Sequence, residues 1–172
     1  MNVFDNIQGT AHVVAESSRL KATTAGHIYD LKMIADTDNG TIVAIGEHVE
    51  GQVFKAKAFA NGDKPYLVLT SPFAYNGNKY KSEEKFFYNA NGEIARAYEL
   101  YVDDIYTLSS DAFTGTPAVG KFVNAAYTIS NTAPASGFIG EIIEEVPYTN
   151  STSYRVIVRE INKVAASTGG GD

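Results

Sequence analysis

The strongest constraint on this chain is a dipeptide that recurs four times: Asn39-Gly40, Asn61-Gly62, Asn76-Gly77 and Asn91-Gly92. Asn and Gly enter positive φ more cheaply than other residues, and a two-residue hairpin of the primed type needs positive φ at both central positions. Each pair is flanked by runs rich in Val, Ile, Tyr, Phe and Thr, the residues that fit a pleated surface. The pattern predicts successive antiparallel strands joined by tight Asn-Gly hairpins.

The strands follow from apolar alternation. Ile28 to Ile34 and Thr41 to Ile45 read as strands around the Asn39-Gly40 turn. Gly46-Glu47-His48-Val49-Glu50-Gly51 reads as a turn between glycines, followed by an alternating strand from Gln52 to Phe59. Tyr66-Leu67-Val68-Leu69 has no polar face, which predicts burial on both sides at the centre of the core. Ile94 to Val102 alternates over nine positions, and Ile105-Tyr106-Thr107-Leu108 and Lys121-Phe122-Val123 add further strands. Gly137 to Val146 reads as extended up to a stop at Pro147. Tyr154 to Ile161 is the clearest strand of all. Ala11 to Ala15 suits a short strand and Ser17 to Thr24 a loop. Ten to twelve short strands at hairpin spacing predict an all-β antiparallel barrel or sandwich.

With 172 residues, one domain is expected, comprising an extended N-terminal arm (1–10), a single β-rich domain (11–164) and a Gly-rich, flexible C-terminal tail (165–172). Cysteine is absent, which removes disulfides, thiolate chemistry and cysteine-based zinc sites. The formal net charge is -6, and the 14 basic residues are scattered, which argues against nucleic-acid binding and favours a basic partner surface. No apolar run is long enough for a membrane helix. The start, Met1 to Asn6, lacks the basic-then-apolar signature of a secretory signal, so the chain is expected to be made in the cytoplasm.

Motifs that carry chemistry are sparse. Asp36, Asp38 and Glu47 fall at positions one, three and twelve of a calcium-loop spacing, but the glycine is one place early and a strand follows, so an acidic turn is the better reading. His12, His27 and His48 have no metal-pair spacing, and Glu47 to Glu50 reads as solvated turn residues. A Ser-His-Asp set assembled across the fold stays open, since such triads are not sequence-local. The adjacent pairs Asp103-Asp104 and Glu144-Glu145 read as solvated edges. The chain holds 11 tyrosines and 9 phenylalanines, and Tyr75, Tyr80, Tyr88, Tyr98, Tyr101 and Tyr106 exceed the need of one core face. Some of them are expected to be contact residues at a protein surface. No cofactor and no catalytic residue is expected.

Two stretches carry a family resemblance. One is residues 40–53. The other runs from residue 92 through Asp104-Ile105-Tyr106-Thr107-Leu108-Ser109 to Gly120-Lys121-Phe122-Val123. Together they resemble head decoration (cement or auxiliary) proteins of tailed bacteriophages, over about residues 26–160. The resemblance implies a non-enzymatic, β-rich structural protein on the virion surface. It would bridge copies of the major capsid protein, often as a trimer, and dock through an N-terminal arm. Phe4 and Ile7 would anchor the arm, with Tyr75 and Tyr80 as further partner contacts. The readings weighed beside it are a carbohydrate- or receptor-binding β module of a phage fibre or tail, and a small jelly-roll enzyme.

Overall fold

A computed structural model describes residues 11–72, 84–148 and 151–165. Among these the chain forms β1 (Ala15–Arg19), α1 (Lys21–Ala25), β2 (Ile28–Lys32), β3 (Ile42–Glu50), β4 (Val53–Ala58), β5 (Tyr66–Val68) and β6 (Ile94–Glu99). These are followed by β7 (Ile105–Ser109), β8 (Phe122–Val123), β9 (Ile129–Ser130), β10 (Gly137–Tyr148) and β11 (Ser151–Lys163). Single turns of 3-10 helix lie at Glu84–Phe86 and Ser110–Ala112. The protein is all-β, as the alternation predicts.

The strands divide between two units. β2-β4-β3-β5-β6 close into a barrel, and β1-β7-β11-β10-β8-β9 form a six-stranded sheet. Every pairing of named strands is antiparallel except β2 with β4. A five-stranded barrel has a narrow interior, and this one is filled by Leu31, Met33, Val43, Tyr66 and Val68 against the small residues Ala56, Ala95 and Ala97. The sheet's inner face presents Tyr106, Leu108, Phe138, Val156 and Val158.

β3 and β5 serve both cores, because a strand sends successive side chains to opposite faces. Val43, Tyr66 and Val68 point into the barrel, whereas Ile42 and Leu67, paired across β3 and β5, join the sheet's cluster. The unbroken apolar run of β5 is therefore buried throughout, as expected for a strand covered on both sides.

The Asn-Gly pairs do turn the chain, but not as expected. Asn39-Gly40, Asn61-Gly62 and Asn91-Gly92 each occupy the centre of a β-turn closed by a carbonyl-to-amide bond, at Asp38–Thr41, Ala60–Asp63 and Ala90–Glu93. Only the glycine has positive φ; the asparagines do not. That is the signature of a type II turn, in which φ is positive at the second central residue alone. None of the three is a two-residue tip between paired strands: β2 does not pair with β3, β4 does not pair with β5, and Asn91-Gly92 lies in the long connection between β5, which ends at Val68, and its partner β6, which begins at Ile94. Asn76-Gly77 lies outside the described residues. A two-residue hairpin does occur at Gly51-Gln52, with Glu50 opposite Val53 and positive φ at Gly51 alone, the type II′ pattern.

Other local readings are corrected too. Residues 46–50 continue β3 instead of turning. The first strand starts at Ala15, where Ala11 was expected, and the segment read as a loop contains the rest of β1 and α1. β10 runs through Pro147 to Tyr148, with Pro147 opposite Thr152. Asp104 is no solvated edge: it is 1% exposed and accepts the Lys21 N–H at 3.0 Å and the Tyr101 N–H at 2.9 Å. It thereby caps the start of α1 from far along the chain. Burial raises its carboxyl above the usual range, against the lowering effect of those two amides. Tyr106 is wholly buried, so it is a core residue and not a surface contact.

Candidate partner-binding surface

Four separate segments meet beside one another. The His12 N–H donates to Lys85 O at 2.7 Å, the Tyr148 hydroxyl donates to Glu84 Oε2 at 2.9 Å, and the Ser109 N–H donates to Val14 O at 2.9 Å. Extended backbone from residues 11–14 is thus held between the 3-10 turn at Glu84–Phe86, the end of β7 and the end of the β10–β11 hairpin. These contacts enclose a cavity of about 620 Å³ lined by His12, Glu84, Lys85, Asp111, Tyr148 and serines 109, 110 and 151.

Its lining mixes apolar surface with two carboxylates, Glu84 and Asp111, and one lysine, Lys85. His12 Nδ1 lies 2.6 Å from Asp38 Oδ1, and its ring stacks on Tyr88 with centroids 4.7 Å apart. Burial, followed by its hydrogen bond to Glu84, pushes the Tyr148 phenol up to about 12, so it stays a neutral donor at neutral pH. Glu16 adds a second negative charge near that phenol. A surface of this kind suits hydrogen-bond donors and positive groups on a partner.

A second constellation closes the barrel. Along β6 the residues Ala95, Ala97 and Glu99 alternate inward, which carries a carboxylate into the barrel's end. Glu99 is 6% exposed and lies 3.3 Å from both His27 Nδ1 and Lys64 Nζ. The Tyr101 hydroxyl is hydrogen-bonded to His27 Nδ1. Burial, with the Glu99 charge next, pushes the Tyr66 phenol up to about 12, and Tyr29 meets its ring edge-on at 5.3 Å. A buried carboxylate needs such partners, because an unpaired one would be costly. The group is a satisfied polar stopper for the barrel.

Sequence reasoning singled out none of Asp38 with His12, Glu84 with Tyr148, or Glu99 with His27 and Lys64 as a set. The one signal present was Glu99's place at an inward position of the β6 alternation. Phe4, Ile7, Tyr75 and Tyr80, the expected partner contacts, lie outside the described residues. The residues bordering them, Ala11, Pro72 and Glu84, line the cavity or the groove next to it. The calcium-loop spacing is dispersed: Asp36 accepts the Asn91 N–H, Asp38 holds His12, and Glu47 pairs with Lys55 on the exposed half of β3. Among the described residues no group of three or more His, Asp or Glu is placed to share a metal ion. The described tyrosines 88, 98 and 101 are half-buried.

The fold and these sites define the class only as far as an all-β protein with a closed barrel beside an open sheet. Comparison with protein-family models, with curated proteins and with solved structures returns no match.

Proposed function

We propose that the protein is a non-enzymatic structural virion protein that binds the outer surface of a phage capsid and stabilises subunit contacts, with the major capsid protein as its partner. The observation that carries this reading is the gathering of Ala11, Glu84 and Tyr148 around one cavity. Ala11 and Glu84, which adjoin in sequence the segments carrying Phe4 and Ile7 and carrying Tyr75 and Tyr80, both line it. A trimer on the shell is the favoured assembly. Repetition of one surface over a lattice lets individually weak contacts suffice through avidity.

The reading is tested by co-sedimentation of the purified chain with heads of the phage that encodes it. The full chain is expected to pellet with heads, and a chain lacking residues 1–10 to stay in the supernatant with an unchanged melting midpoint. A full chain that never pellets with heads sinks the reading; a truncated chain that pellets equally well removes the arm from it.

One observation favours an enzyme instead. Asp38 fixes the His12 ring through Nδ1, which leaves Nε2 as a base on a cavity that also holds serine hydroxyls. Hydrolysis of an activated ester that disappears in His12→Gln would support this alternative. A rate equal to buffer, before and after the substitution, would remove it.

A further inference from the structure

We propose that the open edge of β1 receives an extended, basic segment of a partner protein, which adds to the sheet as a further strand. The partner's identity rests on the decoration reading; the receiving edge does not.

The barrel is closed, so it offers no edge, and the sheet ends in β1 and β9. β9 has two residues and is shielded by the bridge between Thr114 and Thr128, with the Ile129 N–H donating to Thr114 O at 2.9 Å. β1 is different. Its ladder with β7 pairs Ala15 with Leu108, Glu16 with Thr107 and Ser17 with Tyr106. The Ser109 N–H donates to Val14 O. Hydrogen-bonded pairs alternate along an antiparallel ladder, so Glu16 faces β7 with its amide and carbonyl, whereas Ala15 and Ser17 turn theirs away. Two donors and two acceptors therefore point outward from a strand whose side chains beyond Ala15 are exposed. Among the described residues no further strand pairs with this edge, and such an edge is a template for another strand.

A groove of about 330 Å³ runs beside that edge, between β1 and the segment from Leu69 to Pro72. Leu69 and Tyr98 supply apolar surface for alternate side chains of an added strand. Glu16 and Glu84 supply charge, and among the described residues no Lys or Arg lines the groove. Two carboxylates with no cation select a basic occupant over an acidic one. The register of β1 breaks between Ser17 and Arg19, where Arg19 Nη2 turns to Asp103 O at 2.9 Å. The added strand consequently pairs along Ala15–Ser17 and departs there.

The test uses the full-length protein and a fluorescent, end-capped octapeptide of alternating valine and lysine, followed by anisotropy. Three comparisons read the mechanism: the same peptide N-methylated at alternate backbone nitrogens, its valine–glutamate counterpart, and the Ser17→Pro protein. Proline at that position deletes an outward donor and leaves the ladder to β7 intact. Each change is expected to weaken binding by about tenfold or more. Failure of the basic peptide to bind overturns the proposal, as does equal binding after N-methylation, which leaves charge alone. Should Ser17→Pro not fold, the N-methylated peptide decides without it. Ser17→Pro protein that folds and binds the peptide like the parent chain also overturns the proposal. Heads separate the two readings. A chain that binds peptide but never pellets with heads keeps the strand edge and loses the decoration role. One that pellets equally well as Ser17→Pro keeps the role and loses the edge.

Discussion

Replacing Gly40 with alanine tests how the barrel is joined to the sheet. Gly40 has φ of +89°, and a Cβ built on it would lie 2.5 Å from Leu108 Cδ2 and 3.2 Å from the Ala15 Cβ. Neither side can yield easily. Leu108 is wholly buried, the Gly40 N–H donates to Val68 O at 2.7 Å, and the Tyr127 hydroxyl donates to Gly40 O at 2.6 Å. Gly92 is the natural control, with φ of +85° and nothing within 4 Å of its would-be Cβ. The backbone penalty for an L-residue in left-handed space, about 1–2 kcal/mol, is common to both positions and cancels in the comparison. What remains for Gly40→Ala is overpacking, about 1–3 kcal/mol. Gly92→Ala should therefore cost about 1–2 kcal/mol and Gly40→Ala about 2–5 kcal/mol. Urea unfolding followed by circular dichroism or tyrosine fluorescence measures the difference, since the chain has no tryptophan. Equal midpoints and slopes for the two variants would refute the wedge argument. Leu108→Ala should cost less in the Gly40→Ala background than in the parent chain, because the two substitutions act on one contact.

The remaining predictions concern buried polar groups. Asn39 is 7% exposed, and its amide pairs with the Thr70 backbone in both directions, at 2.8 and 3.0 Å, while also accepting from Asn89 Nδ2 at 3.1 Å. Asn39→Ala strands these groups and should cost about 2 kcal/mol or more; a midpoint within error of the parent would count against the clamp. Asp104→Asn sets an amide donor against the Lys21 or Tyr101 N–H and should lower stability by about 1–3 kcal/mol at neutral pH, read from the urea midpoint. In the folded state Tyr66 ionises only near 12, against an ordinary value near 10, and burial raises Tyr106 and Tyr127 as well. A raised folded value means the native state holds protons that the unfolded chain releases, so stability is complete below about pH 10 and falls as the pH climbs toward 12. Phenolate absorbance and the urea midpoint should change together across that window; tyrosines that all titrate near 10 with the fold intact would contradict it.

The strand content was legible in the sequence because side-chain alternation is a local property. The alternation of Ala95, Ala97 and Glu99 with Ile94, Arg96 and Tyr98 along β6 declares two faces without reference to any partner, and the unbroken apolar run of Tyr66-Leu67-Val68 declares burial on both. The places where the chain turns were legible for a similar reason, since glycine relieves a steric limit that acts within one residue. Pairing was not local and could not be read. Asn39-Gly40 looks like a hairpin tip in one dimension, yet its carbonyl takes the Tyr127 hydroxyl and its side-chain amide takes Thr70, contacts that exist only once the sheet and barrel have closed on it. The same holds for charge. Asp103 and Asp104 are neighbours in sequence, but the backbone turn at Asp103, with φ of +72°, leaves Asp103 in solvent and sends Asp104 to the start of α1. Alternation and turn chemistry by themselves determined that this protein is built from strands. Tertiary structure decided which strands meet, which lie at the ends of the sheet, and which carboxylates are buried, because each depends on free energies between groups tens of residues apart.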